Sequence, residues 1–439
     1  MSELDLALEA LTALHPRRID LSLGRIERLL QGLDRPQDRL PPVIHVAGTN
    51  GKGSTIAFLR AVLEAAGKRV HVYTSPHLVR FNERIRLGRA GGGVLADDAT
   101  LIAAIEAVLK ANGDAPITFF EVTTAVAFHL YASHPADFSL IEVGLGGRFD
   151  ATNVIDKPLA ALIAPVSHDH ADFLGNDLAG IASEKAGILK RGCPAIVGPQ
   201  DEHALKMITL DAKAAGASLF THGEDYTAFT ERGRLVYQDE DGLLDLPLPR
   251  LSGAHQVDNA GLAVAALRRA GIRLPSGAME AGLANAEWPA RMQRLKSGPL
   301  VDAAPPGSDM WLDGGHNPAA GIAIATAFAE IEERDPRPLV LIAGMLQTKD
   351  PAGFFRPFAG LARHAMTVPV PGSEAGFGPE DLARIAMDCD VPARAFPDVA
   401  AALASLRTSW KEERPPRVLI CGSLYLAGAV LRENGPPPE

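Results

Sequence analysis

Short apolar runs alternate with longer stretches of helical periodicity through most of the chain. The apolar runs are rich in Val, Ile and Ala and read "PPVIHVAG", "RVHVYTS", "FSLIEVG", "LAALIAPVS" and "CPAIVG". Helices are predicted between or after them at 54–66, 101–112 and 203–215. Because strands that alternate with helices form parallel sheets covered on both faces, this part of the chain predicts an α/β domain.

The alternation of strand-like and helical segments is interrupted after residue 220 and resumes near residue 310. The stretch "ERGRLVYQDEDGLLDLPLP" alternates around an Asp-Gly pair, which predicts a hairpin or small antiparallel extension. Helices from about His255 and from Gly277 to Asn285 lead into the proline-containing "EWPARMQRLKSGP", the best candidate for a domain boundary. Beyond it a helix from Pro318 to Glu332 lies among the strand-like runs "MWLDGG", "PLVLIAGM", "AMTVPVPG" and "RVLICGS". This second series of alternating strands and helices predicts another doubly wound α/β unit.

The chain has 439 residues, which is more than one hydrophobic core usually serves. We therefore expect two domains. Residues 1–295 would form a first domain with a mostly parallel sheet, and residues 296–439 a smaller, doubly wound (Rossmann-like) α/β domain.

Composition and charge narrow the class of protein. The chain is 47% hydrophobic and 22% charged, and no apolar run reaches the ~18 residues of a membrane span. No secretory signal is visible at the N-terminus, so a cytoplasmic protein with no membrane partner is expected. A net charge of −10 disfavours nucleic acid as a partner. Three distant cysteines argue against a disulfide framework or a cysteine-based zinc site.

The stretch "VIHVAGTNGKGST", from Val43 to Thr55, has the form of a phosphate-binding loop. A strand that ends in a glycine-rich loop opening a helix gathers backbone N–H groups where an anion is favoured, and Lys52 adds positive charge. The usual pattern needs Gly, four residues, then Gly-Lys followed directly by Ser or Thr. Here Val46 stands at the first glycine position and Gly53 follows Lys52, which disfavours a generic kinase or GTPase. The alternative is a glycine-rich turn without a ligand.

Seven blocks occur in one order along the chain: "HVAGTNGKGST", "YTSPHLVRFNERI", "IEVGLGGRFDATN", "SEKAGILKRG", "WPARMQ", "DGGHNP" and "CGSLYLA". Together they resemble the folylpolyglutamate synthase family, especially its bacterial bifunctional dihydrofolate synthase type, within the wider Mur ligase group. The resemblance extends from about Arg18 to Leu431. It implies an ATP-dependent ligase that joins L-glutamate to a pteroate or folate carboxylate through an acyl phosphate. It also implies that residues 1–295 are the ATP-binding, P-loop-type domain and residues 296–439 the ligase domain.

The resemblance also implies an ATP site. Lys52 would reach the β- and γ-phosphates, and the whole loop would bind the nucleotide: Gly48, Thr49, Asn50, Gly51, Lys52, Gly53, Ser54 and Thr55. Further positions match residues for adenine, phosphate and ribose, namely Asn259, Arg291 and Asp313. ATP would then lie across the cleft between the domains. The catalytic residues implied are Lys52, Lys185 and His316; taken alone, a histidine in a loop such as "DGGHNP" is often only part of a turn.

Metal sites are implied beside the phosphates. Glu142 closes an apolar strand at its carboxyl end, where ligands gather in open α/β sheets, although it could be a salt-bridged structural residue. Ser75 and His170 complete the implied ligands of two Mg²⁺ ions; the loop "VSHDHADFLG" alone would be read as solvated or structural. Lys185, by itself a surface lysine, matches a lysine that is carbamylated in this group, which would turn a cation into a metal-binding anion.

The folate side of the site is implied by the resemblance alone. Phe120 would stack on a pterin and Asp150 would accept its N–H groups, although a phenylalanine among apolar residues is more often part of a core. The implied substrate-binding residues are Arg18, Ile19, Asp20, Leu21, Thr74, Arg84, Thr118, Phe120, Phe149, Asp150 and Ala151.

Two other functions are compatible with an ATP site. A Mur-group ligase acting on a nucleotide-linked cell-wall precursor would usually carry a separate N-terminal domain, and only about forty residues precede the loop here. A non-catalytic ATP-binding switch would bind nucleotide without releasing ADP. We expect a monomer, and the sequence leaves open whether dihydropteroate, a folate polyglutamate or both are acceptors.

Overall fold

The computed structural model describes residues 3–13, 22–411 and 414–435. The predicted substrate residues Arg18, Ile19, Asp20 and Leu21 lie outside these described residues. Among the described residues, no helix is both long and apolar enough to cross a bilayer.

The first half of the chain forms an eight-stranded sheet with the strand order β4-β3-β2-β5-β1-β6-β7-β8. Six neighbouring strands are parallel: β2, β5, β1, β6, β7 and β8. The remaining two strands, β3 and β4, pair antiparallel at one edge of the sheet. The elements are α1 (Glu3–Ala13), α2 (Gly24–Gly32), β1 (Val43–Ala47), α3 (Lys52–Ala65), β2 (Val70–Tyr73), β3 (Ile85–Leu87), β4 (Val94–Leu95), α4 (Asp98–Asn112), α5 (Phe119–Ser133), β5 (Phe138–Glu142), β6 (Ala160–Ile163), α6 (Ala171–Leu174), α7 (Leu178–Ala186), β7 (Pro194–Val197), α8 (Glu202–Ala215) and β8 (Ser218–Thr221).

A small antiparallel sheet and two helices follow. The predicted antiparallel extension is confirmed as three strands, in the order β11-β10-β9, and the two predicted helices are confirmed within a few residues. The elements are β9 (Tyr226–Glu231), β10 (Arg234–Asp239), β11 (Gly242–Pro247), α9 (Ala254–Arg269) and α10 (Ala278–Asn285).

The last part of the chain forms a second α/β sheet with the order β12-β13-β17-β14-β15-β16. It is parallel except for its edge strand β12. Two α/β units are therefore present, as predicted. The elements are β12 (Gln293–Leu295), α11 (Pro299–Ala303), β13 (Asp309–Leu312), α12 (Pro318–Arg334), β14 (Leu339–Ala343), α13 (Pro351–Phe355), β15 (Ala362–Thr367), α14 (Pro379–Asp388), β16 (Ala393–Ala395), α15 (Val399–Ser409), β17 (Arg417–Cys421) and α16 (Leu424–Asn434).

The two faces of the large sheet carry separate cores. On one face α3, α9 and α10 pack together, and this core includes Phe58, Leu262 and Leu283. On the other face α2, α4 and α5 pack over β2 and β5, with Tyr73 and Phe128 at the centre. Because β-sheet side chains alternate between faces, β2 and β5 supply residues to both cores, and the strand ends between the cores stay available for a site.

Candidate active site

The phosphate loop lies between the end of β1 and the start of α3, as predicted. The backbone N–H groups of Thr49 and Asn50 donate to the carbonyl of Pro165 at 2.9 and 3.2 Å, and the Thr49 hydroxyl donates to the carbonyl of Ser167 at 2.9 Å. These contacts tie the loop to the segment that follows β6. The start of the loop is therefore held in place by hydrogen bonds to this segment.

Close contacts explain two glycines of this loop. Gly51 has φ +85° and lies directly beneath the Asn259 side chain, so a side chain at position 51 would collide with it. At Gly53, a Cβ atom would lie 2.7 Å from the Trp288 ring. Gly53, the residue that departs from the usual phosphate-loop pattern, therefore leaves the space into which the Trp288 ring packs.

Lys52 folds back over the loop. Its Nζ donates to the carbonyls of Gly48 and Thr49 at 3.1 and 3.2 Å and lies 3.9 Å from Glu142 Oε1. The buried Thr55 Oγ1, one turn further along α3, has no hydrogen-bond partner among the described residues. An ammonium, the first backbone N–H groups of a helix and an unpaired hydroxyl near its start are the groups that hold a nucleotide phosphate and its divalent cation.

Glu142 is a buried carboxylate at the end of β5. Its Oε2 accepts from the backbone N–H of Ser75 at 3.2 Å, which places these two predicted metal ligands side by side. Burial raises the pKa of Glu142, and the charge of Lys52 opposes that rise. A carboxylate held in this way, with one ammonium nearby, fits a divalent cation as an additional partner.

Lys185 lies in α7 and is 4% exposed. Its Nζ donates to the carbonyl of Gly48 at 3.1 Å, the same carbonyl that Lys52 contacts. Burial, followed by the charge of Lys52, lowers the pKa of Lys185 to about 7. Lys185 is therefore a buried lysine in contact with the loop between β1 and α3, and not a surface lysine.

Asp169 joins the two halves of the molecule. Its Oδ1 pairs with Lys349 Nζ at 2.6 Å, its Oδ2 accepts from Asn317 Nδ2 at 3.0 Å, and His316 Nε2 lies 3.6 Å from Oδ2. Although burial opposes ionisation, His316, His170 and Lys349 hold the pKa of Asp169 well below its usual range. Asp169 therefore remains an anion, which pairs with Lys349 and accepts a hydrogen bond from Asn317, both from the second unit.

A pair of side-chain amides forms a second bridge. Asn50 of the phosphate loop and Asn317, the N-cap of α12, exchange hydrogen bonds at 3.1 and 3.0 Å. The predicted catalytic residue His316 is adjacent, and its Nδ1 lies 2.8 Å from the carbonyl of Gly314. The loop "DGGHNP" is thus positioned against the phosphate loop.

His170 has φ +53°, and about half of its side chain is exposed. Partial burial, with nearby Lys349 and Lys52, lowers its pKa to about 4. The imidazole is therefore neutral near pH 7, which is the form that binds metal. Within the described ranges, no three His, Cys, Asp or Glu side chains gather closely enough to hold a metal ion by themselves. Any ion here would depend on hydroxyl, water and phosphate oxygens as well.

The residues predicted to bind the nucleotide meet at the boundary between the sheets. Asn259 Nδ2 donates to Gln256 Oε1 at 3.1 Å. Asp313 accepts from the backbone N–H of Met292 at 2.7 Å and of Gly315 at 2.6 Å, and Arg291 lies between these segments. Ala290 and Met292 both have positive φ, at 53° and 41°. Asp313 therefore stabilises an unusual backbone path that presents Arg291.

The predicted folate residues lie on the α5 side of the same strand ends. The Phe120 ring covers Gly144, and Thr118 caps α5 by accepting from the N–H of Glu121 at 3.2 Å. Phe149 is 43% exposed, whereas the neighbouring Ala151 is buried. These positions surround the loop that follows β5.

Both carboxylate oxygens of Asp150 accept hydrogen bonds within that loop. Its oxygens accept from the N–H groups of Gly144, Leu145 and Thr152 at about 3 Å, and from the Thr152 hydroxyl at 2.5 Å. The Thr152 hydroxyl also lies 2.8 Å from buried His45 Nε2. Asp150 thus organises the loop, and its predicted contact with a pterin would be an additional role.

Arg84 and Thr74 lie next to β2 and β3. Arg84 is 8% exposed, donates from Nε to His77 Nδ1 at 2.9 Å and stacks over the Phe119 and Phe81 rings. Thr74 donates to the carbonyl of Glu83 at 3.4 Å. Arg84 is therefore a buried cation near the loop "TSPHL" rather than part of a solvated face.

A cavity of about 330 Å³ opens beside Ser75 and Glu142. It extends away from the phosphate loop between the antiparallel edge of the large sheet, Trp288 and α16. A space of this size next to a buried carboxylate and the phosphate loop is large enough for a small substrate.

Comparison with known proteins agrees with this geometry. The Mur ligase middle domain model matches residues 46–267. The dihydrofolate synthase/folylpolyglutamate synthase of Escherichia coli K12 is 33% identical, covering 97% of this chain and 94% of that protein. Escherichia coli FolC in complex with DHPP and ADP superposes with a TM-score of 0.86 at 33% identity, over 98% of this chain and 97% of that one.

A bifunctional folylpolyglutamate synthase/dihydrofolate synthase with Mn, AMPPNP and L-glutamate bound has a TM-score of 0.84 at 32% identity, over 98% and 97% of the two chains. The fold and the site thus define a Mur-type ATP-dependent ligase. The chain belongs to the folylpolyglutamate synthase/dihydrofolate synthase family, as the resemblance in the sequence implied.

Sequence reasoning missed several residues of this site. Asp169 and Lys349 were not among the predicted site residues, although both follow parallel strands at the edge where ligands gather. The role of Trp288 in covering Gly53 has no signal in the sequence pattern. The capping box of Thr118 and Glu121 does have one, since Thr-x-x-Glu before an apolar run marks a helix start.

Proposed function

We propose that this protein adds L-glutamate to dihydropteroate, to a folate polyglutamate, or to both, with ATP as the source of energy. The observation that carries the proposal is the convergence of Lys52, Lys185 and Glu142 beside the phosphate loop. A carboxylate is a poor electrophile, so an amide forms in water only after activation. Transfer of the γ-phosphate to the acceptor carboxylate gives an acyl phosphate, which the glutamate amine then attacks.

In this scheme Lys52 contacts the β- and γ-phosphates in place of the loop carbonyls it now contacts. Ser75, Glu142 and His170 would hold Mg²⁺ in two sites, the second with the help of Lys185 as a carbamate. The bound ions would neutralise charge on the phosphates during transfer. Asn259, Arg291 and Asp313 would orient adenine, phosphate and ribose.

The acceptor would bind on the α5 side of the strand ends. The partly buried Phe120 ring packs over Gly144 of the loop after β5, and the exposed ring of Phe149 lies in the same loop, which supports an aromatic substrate at this position. Thr74 and Arg84 would stand near its carboxylate, with Thr118, Asp150 and Ala151 shaping the far end.

Closure between the two units protects the reactive intermediate. Asp169, Asn50 and their partners from the second sheet form this contact in one chain, so we propose that the enzyme acts as a monomer with domains at 1–295 and 296–439. Acyl phosphates hydrolyse readily, and a closed site excludes water. The ATP requirement fits a cytoplasmic site of action.

The test is Mg²⁺-dependent ligation of ¹⁴C-glutamate with dihydropteroate and tetrahydrofolate as competing acceptors. Product from both acceptors would define a bifunctional enzyme, and product from one would define a monofunctional enzyme. The Lys52→Ala variant should lose ligation, while Lys110→Ala, on the exposed face of α4, should retain it. ATP binding without ADP release with either acceptor would instead favour a non-catalytic switch and overturn the proposal.

A further inference from the structure

Trp288 lies where the chain passes from the core of one unit to the core of the other. Its ring packs against the core that α3, α9 and α10 share, whereas Ala290, two residues further on, belongs to a core of the second sheet. Met292 belongs to the core on the other face of that sheet. Residues 289–292, here called the linker, therefore carry the chain between the units, and Arg291 is one of them.

The Trp288 ring attaches the first end of the linker to the start of α3. A Cβ atom at Gly53 would lie 2.7 Å from Cζ2 of this ring and 2.8 Å from both Cε2 and Nε1. The ring thus lies directly over the backbone of the residue that follows Lys52, an approach that only glycine permits. A shift of the helix start and a shift of the linker are therefore coupled.

Neither the phosphate loop nor its backbone conformation requires glycine at position 53. In the usual pattern Ser or Thr directly follows the lysine, so a side chain at this position is compatible with phosphate binding. Gly53 is also absent from the glycines of positive φ, which means that its conformation is open to other residues. The Trp288 ring is therefore the reason for glycine at this position.

Hydrogen bonds hold the second end of the linker to the second unit. The backbone N–H of Met292 donates to Asp313 Oδ2 at 2.7 Å, and the backbone N–H of Gly314 donates to the carbonyl of Ala290 at 2.9 Å. Arg291 lies between these two contacts. The linker is thus fixed on the first unit by the indole ring and on the second unit by hydrogen bonds.

The Arg291 side chain faces the centre proposed for phosphate transfer. It lines the same cavity as Ser75 and Glu142. Burial raises the pKa of Glu142, and the charges of Lys52 and Arg291 both oppose that rise. The hydrogen bond that Arg291 Nη1 donates goes to a neutral group, the carbonyl of Ala290, at 2.8 Å. The positive charge of Arg291 is therefore directed at the anions of this centre.

We propose that Trp288 is a positioning residue for phosphate transfer: by packing on Gly53 it ties the linker to the start of α3 and so places the Arg291 guanidinium beside the γ-phosphate of ATP. This inference rests on the proposed function, in which Arg291 contacts phosphate. A charge that is held in place before the transfer stabilises the transition state without further rearrangement.

The decisive measurement is a double-mutant cycle on kcat for ligation. A displacement of about 1 Å in a catalytic group can slow a reaction about a hundredfold, so Trp288→Leu should lower kcat about ten- to hundredfold. The KM for ATP should change less than about threefold, because Lys52 and the loop N–H groups still bind the nucleotide. Arg291→Ala should lower kcat at least as much. Since Trp288 acts through Arg291, the double variant should be no slower than Arg291→Ala alone.

A second pair of variants tests the contact between the ring and the helix start. Gly53→Ala pushes a methyl group against the ring and should lower kcat about tenfold or more. The same change made in the Trp288→Leu background should cost less than about twofold, because the smaller side chain leaves room for the methyl group.

Two further variants serve as controls. Trp288→Phe keeps an aromatic ring and should retain more of kcat than Trp288→Leu. Trp410→Leu changes a partly buried tryptophan at the C-cap of α15 and should leave kcat and the KM for ATP unchanged. Urea denaturation checks that each variant folds, and the cycle is run with Trp288→Phe if Trp288→Leu does not.

Multiplying losses in the Trp288 and Arg291 double variant would overturn the inference, because the two residues would then act independently. An equal cost of Gly53→Ala with and without the ring would also overturn it, since the loop itself would then need the glycine. Failure of the proposed function would be seen separately, as absence of ATP-dependent ligation by the unmodified enzyme.

Discussion

The charge on Lys185 offers a quantitative test of the phosphate site. Lys185 is buried, and its Nζ contacts the carbonyl of Gly48 close to Lys52. Burial and the neighbouring ammonium lower its pKa to about 7. We predict that the neutral amine reacts with CO₂ to form a carbamate, which is an anion that could bind a divalent cation beside the phosphate loop.

The fraction of Lys185 side chains that are neutral follows from the pKa. At pH 7 about half of the Lys185 side chains would be neutral, whereas an exposed lysine with a pKa of about 10.4 has roughly one neutral amine in 2,500. The reactive form is therefore about a thousandfold more abundant at this position. Because the neutral fraction falls as the pH drops below the pKa, carbamate formation should decline below about pH 6.

The assay is ¹³C NMR of the enzyme in ¹³C-labelled bicarbonate, read together with ligase activity. The unmodified enzyme should show a protein-bound carbamate signal that weakens at low pH. Lys185→Ala should lose the signal and the activity, and added short carboxylates should restore part of the activity by replacing the missing anion. Lys206→Ala, on the exposed face of α8, should retain both. Full activity of the unmodified enzyme without the signal would refute the reasoning.

Two further predictions concern the contacts between the halves of the molecule. Gly428 of α16 lies against the carbonyl of Leu78, so Gly428→Ala should force these segments apart and lower the free energy of unfolding by about 1–3 kcal/mol, measured by urea denaturation. An unchanged midpoint would show that the contact yields without cost. Asp169→Asn should leave the buried Lys349 ammonium without its anion and destabilise the protein by about 3 kcal/mol. Lys349→Met in the same background should recover stability, and additive losses in the double variant would argue against a direct pair.

The sequence predicted the architecture well because the strands are short apolar runs and their helices are long and periodic. The helices near α8, α9, α10 and α12 were placed within a few residues of their bounds. Helix α5 was overlooked, since its apolar residues from Phe119 to Tyr131 occupy nearly every position and hide the helical period. Strand β12 was also missed, because it is only three residues long and follows an unusual backbone path.

The site was less predictable than the fold. Residues within one motif, such as Lys52 and Thr55, are neighbours by local geometry. Contacts such as Asp169 with Lys349 join residues 180 positions apart, and no local pattern specifies that distance. The reason for Gly53 became clear only when Trp288 was seen to pack on it. Sequence pattern therefore predicted which residues carry chemistry, and tertiary packing determined which of them meet.

The central claim is that the acceptor carboxylate is activated as an acyl phosphate at Lys52. The most direct measurement uses dihydropteroate labelled with ¹⁸O in its carboxylate, with ATP, Mg²⁺ and L-glutamate, followed by mass spectrometry of the released phosphate. We predict that each phosphate carries one labelled oxygen, because the bond that breaks lies between that oxygen and the acyl carbon. Amide product accompanied by unlabelled phosphate would contradict the account.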